Sequence, residues 1–346
     1  MSSEAPERGT VVAAIAARNF LPRARVLAAS LARVHPELPF AVLLLDAPDS
    51  LPDPAQEPFE VIGVDDLAGA DARTVAFRYA RRAACAAAKP ALIRHLLSRG
   101  HERVLFLDSD TVVTGDLGPF LEALDRAPVV LTPHLVEPAT GPAARERELV
   151  IGLAGVANTG VVGVRAGGDG ERFVDWWSER LLTRCITDPA AALHLDQRWA
   201  DLAIGLFDGA CLIRDPGVNV AYWNLAERPL RIQGARITAA GRPCRLLHAS
   251  GYDTRHPELL SIYAPELRTD GLGDAGRLLR RYHGALLEAG EVEAQSWPWA
   301  FERYADGARI DPAERAAHRD LGAEAERFGD PFAVGEGSFR SWLGVR

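Results

Sequence analysis

Two unbroken apolar runs, Val11–Ala17 and Phe40–Leu45, flank one stretch of helical period in which Pro22 precedes Val26, Leu27, Leu31 and Val34. A strand that is apolar at every position has no face to give to water, so it belongs to a sheet covered on both sides. Strand, helix and strand at this spacing make a βαβ unit with parallel strands. Pro36 ends the helical pattern. The alternation continues through a strand at Phe59–Val64, an Ala- and Arg-rich helical stretch from Ala72 to Arg99 that Pro90 should kink or divide, and a buried strand at Val104–Leu107. Further strands are expected at Val129–Leu131, Val161–Val164, Leu212–Arg214 and Leu246–His248, with helices at Glu171–Thr183 and His194–Ile204. The expected fold class is α/β, a mostly parallel, Rossmann-like sheet flanked by helices.

The pattern changes after Tyr263. From there the chain is charged, helix-prone and poor in β-branched runs, with aromatic anchors from Trp297 to Trp342. Residues 1–263 therefore read as the sheet domain and residues 264–346 as a small helical C-terminal region.

Composition narrows the function classes. The 346 residues include 39 Lys and Arg against 47 Asp and Glu, for a net charge of −8, so no basic field exists to displace counterions from a nucleic acid. Four cysteines, Cys85, Cys185, Cys211 and Cys244, show no zinc-ligand spacing and read as free thiols in a reducing compartment. The segment Met1–Thr10 lacks the basic-then-apolar order of a secretory signal, and no run is long and apolar enough for a membrane span. The expectation is a cytoplasmic protein without nucleic-acid or membrane partners.

The strand Val104–Leu107 ends abruptly in Asp108-Ser109-Asp110. Open α/β sheets bind ligands at the carboxyl ends of their strands, and two carboxylates two residues apart can hold Mg²⁺ or Mn²⁺ with coordination sites left for a diphosphate. A solvated strand-end turn is the plainer reading of the same residues.

The segment from Arg103 to Val113 resembles the metal-binding strand of GT-A glycosyltransferases, particularly the retaining family eight group. Further segments resemble that family in the expected order: Arg18-Asn19-Phe20 its nucleotide-contacting first loop, Asn158-Thr159-Gly160 its donor-sugar loop, Asp196-Gln197 its Asp-Gln pair, and His248 with Gly251 its late His-x-x-Gly. The resemblance spans residues 10–255. It implies a GT-A nucleotide-sugar-binding domain, with Asp108, Asp110 and His248 holding a metal, Mn²⁺ in preference to Mg²⁺ because imidazole is a poor partner for the harder ion. Donor contacts are implied for Ala17, Asn19, Ser109, Asn158, Thr159, Gly160 and Gly251, and Asn224 is placed near the site. Lys89 is implied to face the diphosphate, and Arg78 is a substitute for that task; a solvated helix face explains Arg81 and Arg82. Asp196 and Gln197 are the implied catalytic pair, Asp196 on donor-sugar hydroxyls and Gln197 beneath the anomeric carbon. Each has a structural counterpart: a core histidine for His248, a plain turn before the strand for Asn158-Thr159-Gly160, a helix cap for Asp196.

Some positions depart from the family. Ala17 stands where many relatives carry the Asp that reads uracil, and Thr254 stands where a Lys is expected, with Arg255 beside it. The expected activity is a metal-dependent, hexosyltransferase-like transfer from a nucleotide sugar, UDP-sugar first, to an acceptor that this sequence does not name, with retention. A nucleotidyltransferase is the competing enzyme, although Ala16-Ala17-Arg18-Asn19 is not the Gly-rich loop that class carries; a non-catalytic sugar-nucleotide or carbohydrate binding module is the other reading. Val136–Leu149 is a candidate lid.

Overall fold

The computed structural model describes residues 8–69 and 71–344. The first apolar run becomes β1 (Arg8–Ala16), the helical stretch α1 (Leu21–Val34) with Pro22 in its first turn, and the second run β2 (Phe40–Leu44). Alternate side chains of β1 enter different cores: Val11, Ala13 and Ile15 on one face, Val12, Ala14 and Ala16 on the other. That two-sided burial is why the run contains no polar position between Val11 and Ala17.

The chain continues through β3 (Glu60–Gly63), β4 (His101–Leu107), β5 (Thr111–Val113), β6 (Val129–Pro133) and β7 (Ala157–Arg165). A short hairpin of β8 (Thr187–Asp188) and β9 (Leu193–His194) precedes β10 (Cys211–Leu212). Then come β11 (Leu230–Gln233), β12 (Arg236–Ala239), β13 (Arg242–Pro243) and β14 (Leu246–His248). The central seven-stranded sheet runs β10-β6-β7-β4-β1-β2-β3 and is parallel except at β7, which is antiparallel to β4 and β6. The α/β class with a mostly parallel sheet is therefore as expected.

Two local expectations are corrected. The stretch from Ala72 to Arg99 is three helices, α2 (Asp71–Arg78), α3 (Arg81–Ala87) and α4 (Lys89–Ser98). Pro90 sits in the first turn of α4, where its missing N–H is not needed; the additional break at Tyr79-Ala80 has no Gly or Pro to announce it. Downstream lie α5 (Gly118–Leu124), α6 (Ala144–Ala154) and α7 (Gly168–Arg184). The helix expected over His194–Ile204 is instead β9 followed by two single turns, α8 (Gln197–Ala200) and α9 (Ala203–Leu206), because Leu195 takes a left-handed φ of 49°.

Beyond Tyr263 the chain is helical, with α10 (Asp274–Glu288), α11 (Glu291–Ala294), α12 (Pro312–Leu321) and α13 (Phe339–Gly344). Its aromatic side chains are not a separate core. Trp299, Phe301, Tyr304, Phe332 and Phe339 share one cluster with Val11, Ala13 and Phe106, and the Trp299 indole donates to the Leu45 carbonyl at 2.7 Å. All four cysteines are free. Among the described residues, no helix is long and apolar enough to cross a membrane.

Candidate active site

β4 carries four fully buried residues, Val104 to Leu107, up to the edge of the sheet and then stops. The turn that follows is tight: the Thr111 amide and hydroxyl both donate to the Asp108 carbonyl, at 3.0 and 2.8 Å. The chain reverses into β5, and β5 pairs antiparallel with β14 so that Thr111 stands opposite His248. The Ala249 amide donates to the Asp110 carbonyl at 2.9 Å, locking the late strand onto the turn. This pairing delivers a histidine from far along the chain to the two carboxylates. His248 Nε2 lies 3.2 Å from Asp110 Oδ1 and 3.9 Å from Asp108 Oδ2, and one ligand atom from each of Asp108, Asp110 and His248 falls within 4.8 Å of the others.

The ring orientation of His248 follows from its neighbours. Asn219 donates through Nδ2 to Thr132 Oγ1 and to Asn158 Oδ1, both at 2.9 Å, so its Oδ1 is an acceptor. His248 Nδ1, 2.9 Å from that oxygen, must then carry a proton, which turns Nε2 toward the carboxylates. The order extends further: Asn158 Oδ1 also accepts from the Gly160 amide at 3.0 Å, Asn158 Nδ2 donates to Gln197 Oε1 at 2.8 Å, and Gln197 Nε2 donates to the Ala154 carbonyl at 3.1 Å. One hydrogen-bonded chain thus joins His248, Asn219, Asn158 and Gln197.

Electrostatics sharpen the cluster. Burial pushes the Asp110 carboxyl up, but the His248 ring and the Arg23 guanidinium outweigh it and hold Asp110 down at about 2. Asp108 is raised by burial, against the pull of Lys89 and His248. Burial would lower His248, yet the two carboxylates hold it above its ordinary value. The two carboxylates thus favour a positive charge beside them, as a proton on the His248 ring or as a cation.

Ala17, Asn19, Lys89, Asp108, Ser109, Asp110, Thr159, Asp196, Gln197, His248 and Gly251 line one cavity of about 600 Å³. The structure places several of them differently from expectation. Lys89 is buried beneath the cavity floor, its Nζ 2.9 Å from Asp196 Oδ2, 3.2 Å from Asp108 Oδ1 and 2.9 Å from the Thr159 carbonyl. Its Nζ thus donates to the Thr159 carbonyl and forms ion pairs with two carboxylates. Asp196 precedes α8 but makes no side-chain cap, since its carboxylate turns to Lys89. Asn158-Thr159-Gly160 is not a turn before the strand: it lies inside β7, at a register shift opposite Leu131 and Thr132. Asn158 and Gly160 stand behind the wall. A Cβ on Gly160 would lie 2.4 Å from His248 Cε1, so this glycine makes room for the histidine ring. Asn224 is likewise a brace, donating to the His134 and Asn219 carbonyls and accepting from the Ala221 amide. Gly251 has φ +71° and its Cβ would meet Ser261 and Tyr263 at 2.5 Å.

Arg78 is also corrected. Its guanidinium points away from the cavity, to His318 Nδ1 at 3.0 Å and the Leu182 and Gly322 carbonyls. Arg81 and Arg82, read as a solvated face, line the cavity, as does Arg255, which pairs with Asp253 at 2.6 Å. Sequence reasoning passed over Asn219, Arg23 and Glu291. Only the fold brings Asn219 beside the strand that holds His248; its left-handed φ of 56° is the kind of position Asn tolerates.

No family model matches the chain. A curated relative, described as the uncharacterized protein YfnF of Bacillus subtilis (strain 168), is 28% identical over 172 residues, 49% of this chain and 56% of the relative. The chain thus matches little more than half the length of that relative. Among solved structures the chain is similar to a galactosyltransferase LgtC in complex with donor and acceptor sugar analogs, at 16% identity and a TM-score of 0.46 over 79% of this chain and 95% of that one. It is also similar to the glycosyltransferase GlyE of Streptococcus pneumoniae TIGR4, at 15% identity and a TM-score of 0.45 over 86% of this chain and 66% of that one. Likeness at this level says nothing of the chemistry, which rests on the residues themselves.

Proposed function

We propose that the protein is a metal-dependent glycosyltransferase of GT-A type, which moves a sugar from a nucleoside diphosphate donor to an acceptor hydroxyl with retention. The observation that carries this reading is the convergence of Asp108, Asp110 and His248 at a cavity whose adjoining wall bears Asp196 and Gln197. Two carboxylates and an imidazole whose Nε2 is aimed at them fit a divalent cation, Mn²⁺ before Mg²⁺. When bound, such a cation neutralises the charge that grows on a departing diphosphate.

The chain's own residues account for the rest. Asn219 holds the His248 ring in place, and Lys89 gives Asp108 and Asp196 a shared counter-charge. Asp196 accepts hydrogen bonds from donor-sugar hydroxyls, bonds that strengthen as the sugar becomes cationic. Gln197 is held at both ends of its amide and lies beneath the anomeric carbon. An amide oxygen is a weak nucleophile, so the acceptor attacks from the face the diphosphate leaves, and the leaving phosphate oxygen takes the acceptor proton. UDP-sugar is the first donor to try, and residues 1–263 are the proposed catalytic domain.

A panel of sugar nucleotides incubated with the protein and Mn²⁺, with and without EDTA, tests this. Slow, EDTA-sensitive release of a nucleoside diphosphate from one donor is the expected result. Donor binding with no release from any member, in any acceptor extract, returns the protein to a non-catalytic binding module.

A further inference from the structure

His134 follows β6 directly and is buried, without lining the cavity. Its backbone is held at two points: the amide donates to the Val156 carbonyl at 2.9 Å, and the carbonyl accepts from Asn224 Nδ2 at 3.0 Å. The Trp223 ring packs edge-on against two imidazoles, with centroids 5.2 Å from His134 and 5.3 Å from His248. The nitrogens of the His134 ring have one polar neighbour each. Nδ1 lies 3.3 Å from the Val156 carbonyl, and Nε2 lies 3.2 Å from Asn158 Nδ2.

Which of those nitrogens carries the proton follows from the backbone. The Gly160 amide can only donate, and it lies 3.0 Å from Asn158 Oδ1. The Asn158 oxygen therefore faces Gly160 and Asn219, and its NH₂ faces the other way, where it meets Gln197 Oε1 at 2.8 Å and His134 Nε2 at 3.2 Å. An amide NH₂ accepts nothing, so both of these atoms must be acceptors. His134 is thus the neutral Nδ1–H tautomer, its proton turned to the Val156 carbonyl. Burial, which holds this ring down at about 4, keeps Nε2 bare at neutral pH. A proton on Nε2 would confront the Asn158 NH₂. Turning the Asn158 amide to relieve that contact would set its nitrogen against the Gly160 amide and Asn219 Nδ2. Asn219 and Gln197 would have to turn with it, and Asn219 would take its oxygen away from His248 Nδ1.

We propose that His134 is a positioning residue for both halves of the site, its bare Nε2 fixing the Asn158 amide and thereby the orientation of the Gln197 amide and of the His248 ring. A buried polar network with every member satisfied rigidifies what it holds. The effect on turnover rests on the glycosyltransferase reading; the tautomer of His134 and its effect at His248 do not.

Long-range ¹H–¹⁵N correlation on the full chain, labelled at histidine, reads the tautomer directly, the His134 signals being those missing from His134→Gln. A protonated Nδ1 and a bare Nε2 at neutral pH are expected, and a proton on Nε2 overturns the assignment. In Asn158→Asp a carboxylate oxygen replaces the NH₂, and the His134 ring should gain a proton at Nε2; an unchanged ring counts equally against the proposal. His134→Leu deletes the acceptor at similar volume, whereas His134→Gln offers a carbonyl oxygen in its place. The Leu variant should weaken Mn²⁺ binding by about threefold or more and lower kcat by about tenfold with little change in KM. His134→Gln should recover most of both losses. Equal losses in the two variants, or a fall in melting temperature alone, reduce His134 to packing and overturn the inference. If the wild type turns over no sugar nucleotide, the glycosyltransferase reading fails, while the tautomer and the Mn²⁺ titrations still decide the role of His134.

Discussion

Lys89 and Asp196 form a buried ion pair, Nζ to Oδ2 2.9 Å, and the same Nζ stands 3.2 Å from Asp108 Oδ1. A single cation thus separates two carboxylates that belong to different walls of the cavity. Lys89→Met should leave both without their counter-charge and cost about 3–5 kcal/mol of stability, the usual penalty for stranding buried charge. The double variant Lys89→Met with Asp196→Asn should be the more stable of the two. Urea unfolding of both measures the difference; a single variant as stable as the wild type would show the pair to be incidental.

Asp110→Asn removes a charged ligand at the edge of the sheet and the partner of the buried His248 ring. Calorimetry with Mn²⁺ alone should show the loss of the ion, with the sheet retained by circular dichroism and some loss of melting temperature. Wild-type Mn²⁺ affinity in this variant, or in His248→Ala, would rule out the cluster as the metal site.

Asn219→Ala deletes the acceptor that fixes the proton on His248 Nδ1. Partners of this kind behind a ligating histidine are worth about 10–100-fold in metal affinity. Mn²⁺ titration of the variant should show a loss in that range; unchanged affinity would remove Asn219 from the account.

Gly160→Ala places a methyl 2.4 Å from His248 Cε1, and the ring must shift. Metal affinity should fall while the sheet, whose apolar strand positions are unchanged, persists by circular dichroism. Intact Mn²⁺ binding would mean that β7 can move aside.

Acid should loosen the docking of the C-terminal helices. Burial pushes His318 down to about 3, with Arg78 adding to the effect, and its Nδ1 accepts from Arg78. The folded-state value lies below the unfolded one of about 6.5, so the stability it confers is whole above pH of about 6.5 and drains away as pH falls toward about 3. At a pH of about 5 the loss is about 2 kcal/mol. His134, held at about 4 by burial, acts with the same sign. His318→Gln should therefore flatten, without abolishing, the decline in denaturation midpoint between pH of about 4 and 6.5. An identical slope in the variant would remove His318 from the account.

Alternation of apolar runs with helical periods was enough to place β1, α1, β2, β4 and β14, because a strand buried on both faces must be apolar throughout and such runs have no other use. Asp108 and Asp110 were legible for a related reason, since carboxylates directly after a buried strand stand out; His248 was named only through the family resemblance, because nothing local says that the two strand ends meet. What the sequence could not decide is where side chains with several possible partners turn. Lys89 goes to two carboxylates beneath the floor, Arg78 to the C-terminal helices, Gly160 to the back of a histidine ring and Glu291 to the cavity itself. Hydrophobic period is a local property written in neighbouring residues, whereas a charge or an amide is satisfied by whichever group the finished fold brings within about 3 Å, often from more than a hundred positions away.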